Sequence, residues 1–186
     1  MRGAGCGVRD KRNLLRIPHT AFRTLCILAL LIGCQPTKLN EEWHRLEPRP
    51  EAPAFSLSTL DGGTVTLSDL RGQVVLLDFW ATWCPPCRAS MPSLEHTYRA
   101  YRTRGATVLL VNAGERPDQI RAWIGRRVTA PILLDPQQAV ARAYGVETLP
   151  RLFVIDTSGH IAFEHGGYGG GLEQSLKLIL SELLPK

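Results

Sequence analysis

The chain has 186 residues, 44% of them hydrophobic and 21% charged, a balance typical of a globular protein with room for one domain and some extra sequence. Six of its 22 basic residues but only one of its 17 acidic residues precede Cys34. The remainder is therefore formally neutral, and charge argues against a nucleic-acid partner. Of the five cysteines only Cys84 and Cys87 lie beyond residue 34, too few and too close together for a disulfide-stapled scaffold.

Residues 1–33 read as a secretory leader: scattered positive charge, then a compact apolar run from Leu25 to Ile32. That run is short of the roughly 20 apolar residues a spanning helix needs. Leu31, Ile32, Gly33 and Cys34 resemble a bacterial lipobox. The resemblance implies cleavage before Cys34, diacylglycerol on its thiol, and an extracytoplasmic domain lipid-anchored to a bacterial membrane, on the periplasmic side in a diderm. The alternatives are a plain secretory peptide or an uncleaved anchor. Residues 34–52, rich in Pro and Glu with no apolar period, read as a tether in which Trp43 and His44 are incidental.

The folded domain is expected over 53–186. Residues 54–58 and 64–67 alternate around Asp61, Gly62 and Gly63, a hairpin signal. Val74 to Trp80 is nearly continuous apolar sequence, expected of a central strand covered on both faces. A helix follows from about Cys84 to Arg104, with Pro92 expected to kink it. Residues 106–112 read as a second buried strand. Pro117 opens a helix with Ile120, Trp123 and Ile124 inward and Arg121, Arg126 and Arg127 toward water. Asp135 and Pro136 read as the N-cap and first position of another helix that stops at Gly145. Residues 152–155 and 161–163 flank a turn at Thr157, Ser158 and Gly159. Leu172, Leu176, Ile179, Leu180 and Leu183 then mark one stripe of a final helix. This order of elements is α/β, a mixed sheet with helices on both faces.

The chemistry gathers at Cys84-Pro85-Pro86-Cys87. Alone, such a pair is either half a zinc site or a redox motif. Its place between a buried strand and a helix start favours redox chemistry, because unpaired N–H groups and the helix dipole stabilise a thiolate at Cys84. Cys87, one turn on, is placed to attack a mixed disulfide. Proline is tolerated at both intervening positions because N–H groups of a first turn lack helical partners. A structural zinc takes four ligands, and no second Cys pair or paired His set stands ready. His96, His160 and His165 read as surface residues, and no metal is expected.

The run Val-Val-Leu-Leu-Asp-Phe-Trp-Ala-Thr-Trp-Cys-Pro-Pro-Cys-Arg from Val74 to Arg88 resembles the thioredoxin superfamily, most closely its TlpA/ResA-like branch. The likeness extends over about Ala52 to Leu184 and includes residues 111–114 and 144–150. It implies a thioredoxin-like α/β fold with an added N-terminal hairpin, and a thiol–disulfide oxidoreductase that needs no cofactor. Proteins of this branch are exported and membrane-tethered and often reduce protein disulfides, including those of apocytochrome c. The partners implied are disulfide-bearing clients and a membrane thiol donor. By position, Cys84 would be the nucleophile and Cys87 the resolving thiol of a redox-active disulfide. Pro150 would be the family's cis-proline, with Leu149 before it offering backbone groups to a substrate. Asp78 would be the buried acid serving Cys87, and Trp83, Pro85 and Pro86 would border the substrate. Several relatives carry Glu three residues after the second cysteine, where this chain has Ser90. A peroxidase of the related peroxiredoxin group would carry Thr where Ala81 stands.

Overall fold

A computed structural model describes residues 43–125 and 127–185. The leader, Cys34 and the first part of the expected tether lie outside them. In chain order the strands are β1 (Trp43–Arg45), β2 (Ser56–Ser58), β3 (Thr64–Thr66), β4 (Val74–Trp80), β5 (Ala106–Ala113), β6 (Ile132–Asp135), β7 (Arg151–Ile155) and β8 (Ile161–Gly166). The helices are α1 (Pro85–Tyr101), α2 (Pro117–Ile124), α3 (Ala139–Ala143) and α4 (Leu172–Leu183), and a 3-10 turn spans Leu67–Leu70.

Six strands form one mixed sheet in the order β1-β8-β7-β4-β5-β6, while β2 and β3 pair separately as the expected hairpin. β4 runs parallel to β5 and antiparallel to β7. All seven residues of β4 are buried, because helices and loops cover both faces of the sheet. Alternation divides them. Val74, Leu76 and Trp80 face a layer that contains Cys87, Met91 and Leu94 of α1 and Leu176, Ile179 and Leu180 of α4. Val75, Leu77 and Phe79 face the opposite layer with Phe55, Leu67 and Tyr144. Each fully buried Leu or Ile in these layers contributes about 1.5–3 kcal/mol relative to exposure.

Three expectations need correction. The tether expected over 34–52 includes residues that belong to the domain. β1 adds an edge strand to β8, with Trp43 buried, opposite His165 and stacked on its ring at 4.7 Å between centroids. Arg45 forms a paired ion contact with Glu182 of α4, and the Ala52 N–H bonds to the Gly159 carbonyl. Three residues are too short to show a period, so this strand is legible only once its partner is in place. For the same reason His165 lies inside rather than on the surface.

Asp135 does not cap a helix at residue 136. It closes β6, an unforeseen strand, and α3 starts at Ala139 after Gln138, whose φ is +55°. Its carboxylate still satisfies the helix start, accepting the N–H groups of Ala139 and Ala141 at 2.9 Å each. Arg121 reaches the Leu60 carbonyl at 2.6 Å, so its guanidinium ties α2 to the hairpin segment. α1 runs to Tyr101 with Pro92 inside it.

Candidate active site

β4 and β5 point their C-terminal ends to one edge of the sheet, and the chain leaves β4 there through Ala81, Thr82 and Trp83 into α1. Crevices outside the carboxyl ends of parallel strands are the usual place for α/β sites. Cys84 is the N-cap of α1 and forms a disulfide with Cys87, with 5.3 Å between Cα atoms. Pro85 and Pro86 occupy the first two helical positions and have no N–H to give. The Cys87 N–H is therefore the first backbone donor of the helix, and it donates to Cys84 Sγ at 3.3 Å. Cys87 is fully buried and Cys84 is 3% exposed, while Trp83 beside them is 67% exposed. Ser90 is buried and donates to the Cys87 carbonyl at 2.9 Å.

Asp78 stands two residues before Trp80 on the face of β4 that meets α1. It is 2% exposed, and its Oδ2 has no hydrogen-bond partner among the described residues. Burial holds its carboxyl well above the usual carboxylate range, so the neutral acid is favoured.

Phe79 pairs with Arg151 at the start of β7, which puts Pro150 at the edge from which the cysteine loop departs. The Leu149–Pro150 peptide is cis. The Leu149 N–H and carbonyl make no hydrogen bond among the described residues. Between this segment and the cysteine loop lies a cleft of about 360 Å³ bordered by Trp83, Ala113, Gln138, Thr148 and Leu149.

One cluster escaped sequence reasoning. Glu115, on the loop after β5, accepts the Thr82 N–H at 2.6 Å and also the Thr82 hydroxyl. The same carboxylate accepts from Asn112 Nδ2 at 2.7 Å, and the Glu115 N–H donates to Asn112 Oδ1 at 3.2 Å. The acid thus ties the loop before Cys84 to the end of β5. Its one sequence signal was an acid just past a buried parallel strand. Among the described residues no three His, Cys, Asp or Glu side chains gather as a metal site.

A mixed sheet that starts a helix on a Cys-Pro-Pro-Cys disulfide, with a cis-proline at the same edge, defines a thioredoxin-fold protein with a disulfide-bonded cysteine pair at a helix start. The AhpC/TSA family matches residues 48–164. Thiol-disulfide oxidoreductase ResA of Geobacillus thermodenitrificans is 42% identical over 111 residues, 59% of this chain and 64% of the relative, so the match spans just under two thirds of that protein. ResA of Bacillus subtilis is 35% identical over 158 residues, covering 83% of this chain and 85% of its own. Among solved structures, the thiol:disulfide interchange protein DsbE of Chlorobium tepidum superposes with a TM-score of 0.68 at 34% identity, over 73% of this chain and 96% of that one. The chain belongs to the AhpC/TSA family, among its ResA-like members.

Proposed function

We propose that the protein is an extracytoplasmic protein-disulfide reductase, anchored to a bacterial membrane by a lipid on Cys34, that works by exchange at Cys84 and Cys87. The observation that carries this reading is the disulfide at the start of α1, with Cys84 Sγ against the first N–H of the helix. The same N–H and the helix dipole favour negative charge on that sulfur once the pair is reduced.

In the forward reaction the Cys84 thiolate attacks one sulfur of a client disulfide. A Cys84–client disulfide forms, and the client's other sulfur leaves as a thiolate. The Cys87 thiol then gives its proton to the Asp78 carboxylate, the ionised minority form, and attacks Cys84 Sγ. The Cys84–Cys87 disulfide forms, the client leaves with two reduced sulfurs, and two electrons have moved to it. A membrane thiol protein restores the dithiol by the same exchange in reverse.

Client binding falls to the backbone of Leu149, before Pro150, pairing with an extended segment beside Trp83 and the Pro85–Pro86 turn. The unbonded N–H and carbonyl of Leu149 support this. Apocytochrome c is one client such a reductase would serve. The anchor rests on Leu31, Ile32, Gly33 and Cys34. No described helix is long and apolar enough to cross a membrane.

The deciding experiment equilibrates the domain with thiol buffers to obtain the reduction potential of the pair. A value near or below about −270 mV, that of thioredoxin, fits a reductant; one near about −120 mV, that of DsbA, overturns it. Cys84→Ser abolishes client reduction, whereas Cys87→Ser accumulates mixed disulfides with clients, seen as larger species on non-reducing gels.

A further inference from the structure

A second concavity, of about 450 Å³, lies along α1 on from the cysteine pair, where α1 faces α2 and the segment after it. Its apolar wall is Met91, Trp123 and Val128, and its cations are Arg88, Arg99 and Arg127. Charge in this groove is unevenly committed. Glu95, the one acid lining it among the described residues, is buried and already accepts from Arg99, from the Thr129 N–H and hydroxyl, and from the Ala130 N–H. His96 faces Glu173 at 3.6 Å. Arg88 and Arg127 are exposed and form no ion pair among the described residues. Two guanidiniums without ion-pair partners among the described residues, on either side of an apolar wall, form a concentrated positive feature on a body that is formally neutral only when both are counted.

Position gives the groove its occupant. Arg88 follows Cys87 directly, and Met91 is one turn further along the same helix. A polypeptide whose disulfide meets Cys84 has its flanking residues within reach of this wall. We propose that the groove seats an acidic segment of the client, with carboxylates on Arg88 and Arg127 and an apolar side chain against Trp123. This rests on the disulfide-exchange reading and adds to it a substrate class: disulfides with Asp or Glu close by in sequence. A concave apolar wall suits a polypeptide side chain better than the flat headgroup layer of a bilayer.

The experiment compares two peptides with the same internal disulfide, one flanked by acidic residues and one by basic residues, as kcat/KM ratios on the reduced domain. The acidic peptide is expected to be favoured about five- to tenfold at low salt, the preference fading in 1 M salt, where the screening length is about 3 Å. In Arg88→Glu/Arg127→Glu the preference reverses. A ratio cancels any change in the thiol chemistry itself, which Arg88 stands close enough to alter. A cysteine-free acidic peptide should also shift the Trp123 indole N–H resonance to saturation, a readout independent of electron transfer. Equal rates for both peptides, or no shift at Trp123, overturn the acidic-segment proposal while the reductase reading stands. Failure to reduce either peptide, with the Trp123 shift present, overturns the reductase reading and leaves the groove as a binding site.

Discussion

Asp78 and Pro86 show what single side chains contribute to the site. Asp78 is an acid whose neutral form the fold prefers, so folding takes up a proton wherever the unfolded chain is ionised. The stability it lends is complete below its unfolded pKa, near the ordinary value of 3.8, and is lost as pH rises through its raised value in the fold. Asp78→Asn should therefore gain in melting temperature relative to the parent as pH rises from 4 to 8. It should also slow release of the mixed disulfide by about a hundredfold or more if the carboxylate is the proton acceptor. Thermal unfolding across pH and single-turnover release kinetics check the two halves. Pro86 acts by what it lacks. Pro86→Ala adds an N–H to the first turn next to Cys84 Sγ, which stabilises the thiolate and so the reduced pair. The potential should move to a more oxidising value, by on the order of 30 mV for a tenfold change in equilibrium, measurable in glutathione buffers.

Among the elements, β1 is the one whose role was least expected. It buries Trp43 against His165 and Phe163, places Arg45 over the Phe163 ring, and joins α4 through Glu182. Removing a buried Trp side chain costs about 3–5 kcal/mol. A chain starting at Pro53 should therefore melt about 10 °C below one starting at Leu39, since each kcal/mol is worth several degrees in a domain of this size. Equal melting temperatures would mean that β1 adds nothing to the domain. Glu95 plays a similar part for α1, holding the segment at Thr129 and Ala130 against the helix through three hydrogen bonds to its carboxylate.

For the molecule as a whole, charge and cysteines are divided unevenly between the residues before Cys34 and those after it. Six basic residues precede Cys34, the rest of the chain is formally neutral, and two cysteines remain beyond Cys34, joined as the disulfide at the start of α1. If Cys34 carries the lipid, Cys34→Ala should release the protein from the membrane fraction while the isolated domain keeps its potential. Retention of the variant in membranes would assign the anchor to the apolar run from Leu25 to Ile32 instead. The domain has two candidate surfaces for a client, the cleft at Trp83 and Leu149 and the cationic groove along α1.

Local rules sufficed where the pattern was long or the chemistry compact. The seven buried residues of β4, the stripe on α4 and Cys84 at a helix start follow from periodicity and capping, and the turn at Gly159 from its composition. Tertiary structure decided the rest. β1 and β6 are strands of three and four residues, defined by hydrogen bonds to β8 and β5 rather than by any period of their own. The grip of Glu115 on Thr82 joins residues 33 positions apart, and His165 is inside because Trp43 covers it. A sequence carries its short-range preferences openly, whereas burial and pairing between distant segments exist only when the sheet brings their backbones together.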